Sequence, residues 1–183
     1  PDWKGVKILP KLLASSQGDG AILALIIKEL EKEGFTVVGV DDVLMDILTR
    51  EGPLGEFLPD KSAKLDITRA IEVGLAMTDL DVGQAIVVQQ GIVLGVEAIE
   101  GTDALIDRCS DLKRDGPGGI LLKLKSKQQD SRVDLPTIGP DTIKRAGRAG
   151  IRGVALEAES SLTVDTPETI RTANQEKLFL IGI

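Results

Sequence analysis

Gly116-Pro117-Gly118-Gly119, then Ile120-Leu121-Leu122-Lys123-Leu124-Lys125, then Ser126-Lys127-Gln128-Gln129-Asp130-Ser131-Arg132-Val133-Asp134-Leu135-Pro136-Thr137-Ile138-Gly139, is the stretch on which the reading of this chain turns. Its middle alternates as a half-buried strand does, with Leu122 and Leu124 on one face and Lys123 and Lys125 on the other. If the chain stays extended past Ser126, Lys127 continues the polar row, and Asp130, Arg132 and Asp134 repeat the two-residue spacing. Cations and carboxylates then converge at the end of a strand, where Pro136 and Gly139 stop its continuation. Such an arrangement handles phosphate through a metal ion. A solvated strand face with surface ion pairs is the other reading of the same residues.

Working outward, helices and strands alternate, which predicts an α/β or α+β layered fold. Val6 to Leu9 reads as a short strand or a connection, and a helix follows from about Ala21 to Glu33, stopped by Gly34. Phe35 to Val40 reads as a strand, and Asp41 or Asp42 caps a short helix through Leu48. Between Thr49 and Pro59 the glycines and prolines mark a linker, so residues 1–50 are expected to be the end of an N-terminal α/β domain and 51–59 the linker. Residues 60–183 are then a second, C-terminal domain built on a mixed sheet. It opens with a helix from about Asp60 to Thr78, apolar at Leu65, Ile67, Ile71, Leu75 and Met77. Gln84 to Gln90 and Ile92 to Ala98 make a hairpin through Gly91. A helix capped by Thr102 runs to about Lys113, and another, capped by Asp141, runs to Ala149. Ile151 to Leu156, Leu162 to Val164 and Leu178 to Ile183 read as strands, and Thr166-Pro167-Glu168 starts a last helix.

Composition removes whole classes of function. There is no histidine, which excludes Ser-His and Cys-His pairs, imidazole bases and nearly all zinc sites. The remaining carboxylates, cations, hydroxyls and amides favour a hard cation such as Mg²⁺ and phosphate chemistry. A net charge of -7 and four aromatic residues argue against a nucleic-acid partner. The single Cys109 sits among Leu105, Ile106 and Leu112 as a core residue and fits a reducing compartment. No apolar run is long enough to span a bilayer, and the opening Pro-Asp-Trp-Lys-Gly reads as mid-protein sequence, so a fragment is expected.

Two motifs bear on chemistry. Gly116 to Gly119 follows a helix and feeds a strand, the reverse of a nucleotide-binding glycine loop, so it reads as a tight turn. In the Asp130 to Asp134 segment one carboxylate can hold a divalent cation and a second can orient or deprotonate a water, while Arg132 and the neighbouring lysines neutralise phosphate charge. Glu97, Glu100 and Asp103 border the same site if the fold brings them there; helix capping and the helix dipole otherwise account for Thr102 and Asp103.

Gln129 to Gly139 resembles the signature of the LpxI family, the UDP-2,3-diacylglucosamine pyrophosphatases of lipid A biosynthesis. Gly83 to Gln89 and Glu97 to Ile106 resemble its second signature, and Asp2 to Gly5 and Leu178 to Gly182 also fit. The resemblance implies a cytoplasmic enzyme, peripheral to the inner membrane of a Gram-negative bacterium, that works as a homodimer with Mg²⁺. It implies cleavage of UDP-2,3-diacylglucosamine to UMP and lipid X by water attacking the sugar-side phosphate. Asp130 and Asp134 become the candidate essential acids. Thr102 and Asp103 become substrate or metal contacts, with Glu97, Glu100, Lys123, Gln129 and Arg132 as further ones. Family members carry additional α/β sequence ahead of the segment present here, and Ser126 stands where proline is common. A binding module for an acylated sugar nucleotide without turnover, and a structural domain with a solvated charged loop, are the competing readings.

Overall fold

The computed structural model describes residues 19–126, 132 and 134–183. Its centre is the strand Ile120–Lys123 (β4), in which every residue is buried. Antiparallel to it lies Ala85–Gln89 (β2), and parallel to it lies Gly153–Leu156 (β6), so Leu122 pairs with both Ile86 and Ala155. The sheet is completed by Gly52–Pro53 (β1), Ile92–Val96 (β3) and Phe179–Gly182 (β8), in the order β1-β8-β6-β4-β2-β3. Thr137–Ile138 (β5) and Leu162–Thr163 (β7) form a separate parallel pair. Among the described residues there are also five helices of more than one turn. They are Asp19–Lys32 (α1), Lys61–Asp79 (α2), Gly101–Ser110 (α3), Pro140–Arg148 (α4) and Thr166–Gln175 (α5). The expected α/β architecture with a mixed sheet is what the chain adopts.

The expectation of a half-buried central strand is corrected. Strand periodicity sends Ile120, Leu122 and Leu124 toward α2, where they pack with Ala63, Ile67, Ala70 and Met77. Leu121 joins Leu105, Ile106, Ile143, Ala146 and Ala173 of α3, α4 and α5 on the other face. Helices therefore cover both faces, as a sheet with parallel crossovers requires. Lys123 enters that interior as an ammonium only 7% exposed.

Other local expectations shift for identifiable reasons. Residues 35–39 are not a strand: they have no ladder partner among the described residues, and β-propensity without pairing makes no strand. A single helical turn, Val40–Val43, follows, with Gly39 as its cap. Gly34 does end α1, at φ +89, and the Phe35 amide returns to the Leu30 carbonyl at 3.1 Å. On α2, capped by Asp60 through the Ala63 amide (2.7 Å), Leu65 and Leu75 face solvent. The buried side keeps Ile67 and Met77 of the expected set and adds Ala63, Asp66, Ala70 and Gly74. Gly74 explains this, because a Cβ there would come within 2.8 Å of Leu124: small residues let the helix lie close to the sheet. Gly139 and Glu100, rather than Asp141 and Thr102, occupy the cap positions of α4 and α3, and neither makes a side-chain cap bond. Within the stretch 49–59, Pro53 sits on the sheet's edge strand, the place a ladder tolerates proline.

The β2–β3 hairpin turns at Gln90 and Gly91, both at positive φ, as two-residue hairpins prefer. Beside it, the Gln89 side chain donates to the carbonyls of Arg114 and Pro117 and accepts from the Arg114 amide, all at 2.8–2.9 Å. That pins Gly116 to Gly119 as a structural turn, the reading its placement after a helix favoured. A Cβ on Gly118 would lie 2.0 Å from the Gly150 carbonyl oxygen, a backbone atom that cannot swing aside. Gly118→Ala is expected to cost about 2 kcal/mol, read as a lower urea midpoint at unchanged slope.

Candidate active site

The sheet's carboxyl-end edge gathers charge around Lys123. Its Nζ donates to the Thr137 carbonyl at 3.1 Å, so the β5 segment is tied over the end of β4. Burial pushes the ammonium's pKa down, while Glu97, then Asp134, then Asp103 pull it back up. The carboxylates whose charge acts on this buried cation come from three different segments: Glu97 just past β3, Asp103 in the first turn of α3, and Asp134 just ahead of β5. Among the described residues none of them closes an ion pair with Lys123.

Each of those carboxylates is engaged by another donor. Glu97, 9% exposed, accepts the Thr102 hydroxyl at 2.7 Å and the Gln84 main-chain amide at 3.1 Å. Gln84 also reaches Asp134 through its side-chain amide at 3.4 Å. Arg145 of α4 holds Asp103 at 3.4 Å and Asp107 at 2.5 Å. The backbone beneath is tight, since a Cβ on Gly83 would sit 2.2 Å from the Glu97 carbonyl oxygen. Glycine at that position lets the following amide reach the Glu97 carboxylate.

Of the residues singled out in the sequence, the fold thus brings together Lys123, Asp134, Glu97, Thr102 and Asp103. Two others have partners of their own. Glu100 turns to Arg108 (2.8 Å), and its pKa is lowered first by its own main-chain amide and then by Arg108. Arg132 pairs with Glu31 of α1 at 2.6 Å. Asp130 and Gln129 lie outside the described residues. Gln84 and the Thr137 carbonyl were missed as site components; the one signal was a polar residue leading an otherwise apolar strand.

One further feature adjoins the cluster. Between α3 and α4 a polar groove of about 530 Å³ is lined by Asp103, Asp107, Asp141, Lys144, Arg145 and Arg148. The carboxylates at the cluster offer oxygen atoms, the ligand type of a hard divalent cation. Among the described residues no three or more acidic or cysteine side chains converge as a complete cation site, and no helix is long and apolar enough to cross a membrane.

Comparison with known proteins completes the picture. The LpxI N-terminal domain family matches residues 1–47, and the LpxI C-terminal domain family matches residues 50–181. The UDP-2,3-diacylglucosamine pyrophosphatase LpxI of Caulobacter vibrioides is 42% identical over 190 aligned residues, which take in all of this chain and 68% of that protein.

Proposed function

The chain belongs to the LpxI family of hydrolases, and from that premise we propose that it cleaves the pyrophosphate of UDP-2,3-diacylglucosamine into UMP and 2,3-diacylglucosamine 1-phosphate, lipid X. The observation that supports the reading is the buried Lys123 faced by Glu97, Asp103 and Asp134 at the sheet's end. A diphosphate brings two or more negative charges, and a desolvated ammonium stabilises charge shared among phosphoryl oxygens more than a solvated one does.

In this mechanism water adds to the sugar-side phosphorus, the anhydride P–O bond breaks, and UMP leaves as a stable anion. Asp130 or Asp134 takes the proton of the attacking water. Strong acid assistance to the leaving group is unnecessary, which is how a chain without histidine can perform the step. Mg²⁺ would be held by Asp130 and Asp134 and would supply charge neutralisation on the diphosphate. Glu97 and Glu100, read as further ligands from the sequence, are engaged with Thr102 and Arg108 and are second choices for that role. The acyl chains of the substrate favour work at the cytoplasmic membrane surface, and the same reading takes the enzyme as a homodimer. Exposed Phe35, Val38, Val43 and Leu44 supply apolar surface for such contact. The division into an N-terminal domain ending near residue 50 and a C-terminal catalytic domain belongs to the same reading.

The test is UMP release from the diacylated sugar nucleotide, followed chromatographically. Release that needs Mg²⁺, stops with EDTA and returns on Mg²⁺ addition is expected. Tight binding of the nucleotide with no UMP formed, in any divalent cation, would instead make the protein a non-catalytic binding module.

A further inference from the structure

A buried lysine with three carboxylates in range would ordinarily close onto one of them, since an unpaired buried charge is costly. Lys123 does not. Among the described residues its single hydrogen-bond acceptor is the Thr137 carbonyl, although an ammonium carries three N–H donors. Glu97 sits beside this end of β4, since its main-chain amide bonds the carbonyl of Ala85 (2.8 Å), the residue paired with Lys123; its carboxylate is almost fully buried and has both oxygens occupied, Oε1 by the Thr102 hydroxyl (2.7 Å) and Oε2 by the Gln84 amide (3.1 Å). The Gln84 bond comes from the main chain, fixed by the close approach of Gly83 to Glu97, so it survives side-chain change. The Thr102 bond is the one that depends on a side chain.

We propose that Thr102 is a positioning residue: its hydroxyl holds the Glu97 carboxylate away from Lys123, leaving that ammonium's remaining N–H donors open to a phosphoryl oxygen of the substrate. This rests on the proposed pyrophosphatase reading and assigns a task within the same site. The sequence resemblance made Thr102 itself a substrate or metal contact. Its hydroxyl proton is instead committed to Glu97, and it sits one step inside α3 rather than at the cap. Without that bond Glu97 Oε1 is released to turn to the nearby ammonium, and the anion site closes on itself.

The double variant Thr102→Val/Glu97→Gln separates this from a direct contact. UDP is titrated calorimetrically in metal-free buffer against the full chain, and unfolding midpoints are recorded for each variant. Thr102→Val is expected to weaken UDP binding about tenfold, the size of one charge-assisted hydrogen bond to phosphate, and Thr102→Ser to stay within about twofold. Adding Glu97→Gln removes the carboxylate that would close on Lys123 and is expected to restore most of the affinity. Lys123→Met should lose it in either background. The inference is overturned if Thr102→Val binds UDP like the parent, if Glu97→Gln brings no recovery, or if the parent itself binds no UDP. UMP release is scored separately. A parent that binds UDP in this Thr102-dependent way yet never forms UMP keeps the inference and sinks the pyrophosphatase reading. Release of UMP with no Thr102 or Lys123 dependence does the reverse.

Discussion

Asp134→Asn is expected to lower the turnover number for UMP formation about a thousandfold, in line with the loss of one positioned acid–base or metal-binding carboxylate. Asparagine keeps the size of the side chain and can still accept the Gln84 amide that now sits 3.4 Å from the Asp134 oxygen. What it loses is charge: it can neither take the proton of an attacking water nor hold a cation, and its pull on Lys123 disappears. Folding should hardly change, because the half-buried position keeps its hydrogen bond; a urea midpoint within about 0.5 kcal/mol of the parent is expected. Asp141→Asn serves as the control. That carboxylate is fully exposed and pairs with Lys144 at 3.4 Å, so its loss should leave the rate within about twofold. Initial rates at saturating Mg²⁺ decide the matter. If Asp134→Asn is as fast as the parent while Asp130→Asn is dead, the essential acid is Asp130. Full rates in both would end the account in which a carboxylate of this motif does the chemistry.

The sequence made the site readable where chemistry is local and hid it where packing decides. Lys123 and Asp134 stand out because charges flank a strand end, and the hairpin at Gln90-Gly91 follows from its turn residues. The element order of an α/β layer came from periodicity alone. That β4 is covered on both faces did not, because a polar residue at alternate positions looks the same whether it meets water or a buried carboxylate set. On α2 periodicity found the buried Ile67 and Met77 but also pointed to Leu65 and Leu75, which face solvent; the rest of the buried side is alanines and Gly74, whose smallness allows close approach and carries little hydrophobic signal. Glu100 and Thr102 show the same limit. Both belong to one motif, yet a few residues' difference in helix position sends Glu100 to Arg108 and Thr102 to Glu97. Spacing along the chain places side chains on a face; which partner each then finds depends on residues far away in sequence, such as Gln84 with Asp134.

Asp66→Ala is expected to destabilise the fold by about 4 kcal/mol while sparing the chemistry of the molecules that remain folded, the opposite pattern to Asp134→Asn. Asp66 is only 2% exposed and lies on the sheet-facing side of α2. Its Oδ1 accepts the Gly91 amide at 2.7 Å, and its Oδ2 accepts a guanidinium N–H of Arg152 at 3.1 Å. Arg152 in turn spans Asp60 and Ser62 at the start of α2 (3.2 and 3.0 Å), so one carboxylate joins helix, hairpin turn and the approach to β6. Alanine removes both acceptors at once. The Gly91 N–H loses its side-chain acceptor, and a mostly buried guanidinium keeps its charge with only the more exposed Asp60 to balance it. Asp66→Asn retains an acceptor for Gly91 and should cost about half as much. Both effects are read as a fall in urea midpoint at constant slope. The site is shielded from them by distance, because Lys123 pairs with Ala85 at one end of β2, and Gly91 lies beyond the other end, about 20 Å of strand away. Below the unfolding transition the turnover number of Asp66→Ala should therefore match the parent. A large loss of turnover in fully folded Asp66→Ala would mean that the hairpin's geometry reaches the cluster around Lys123, and that stability and chemistry are not separable along β2.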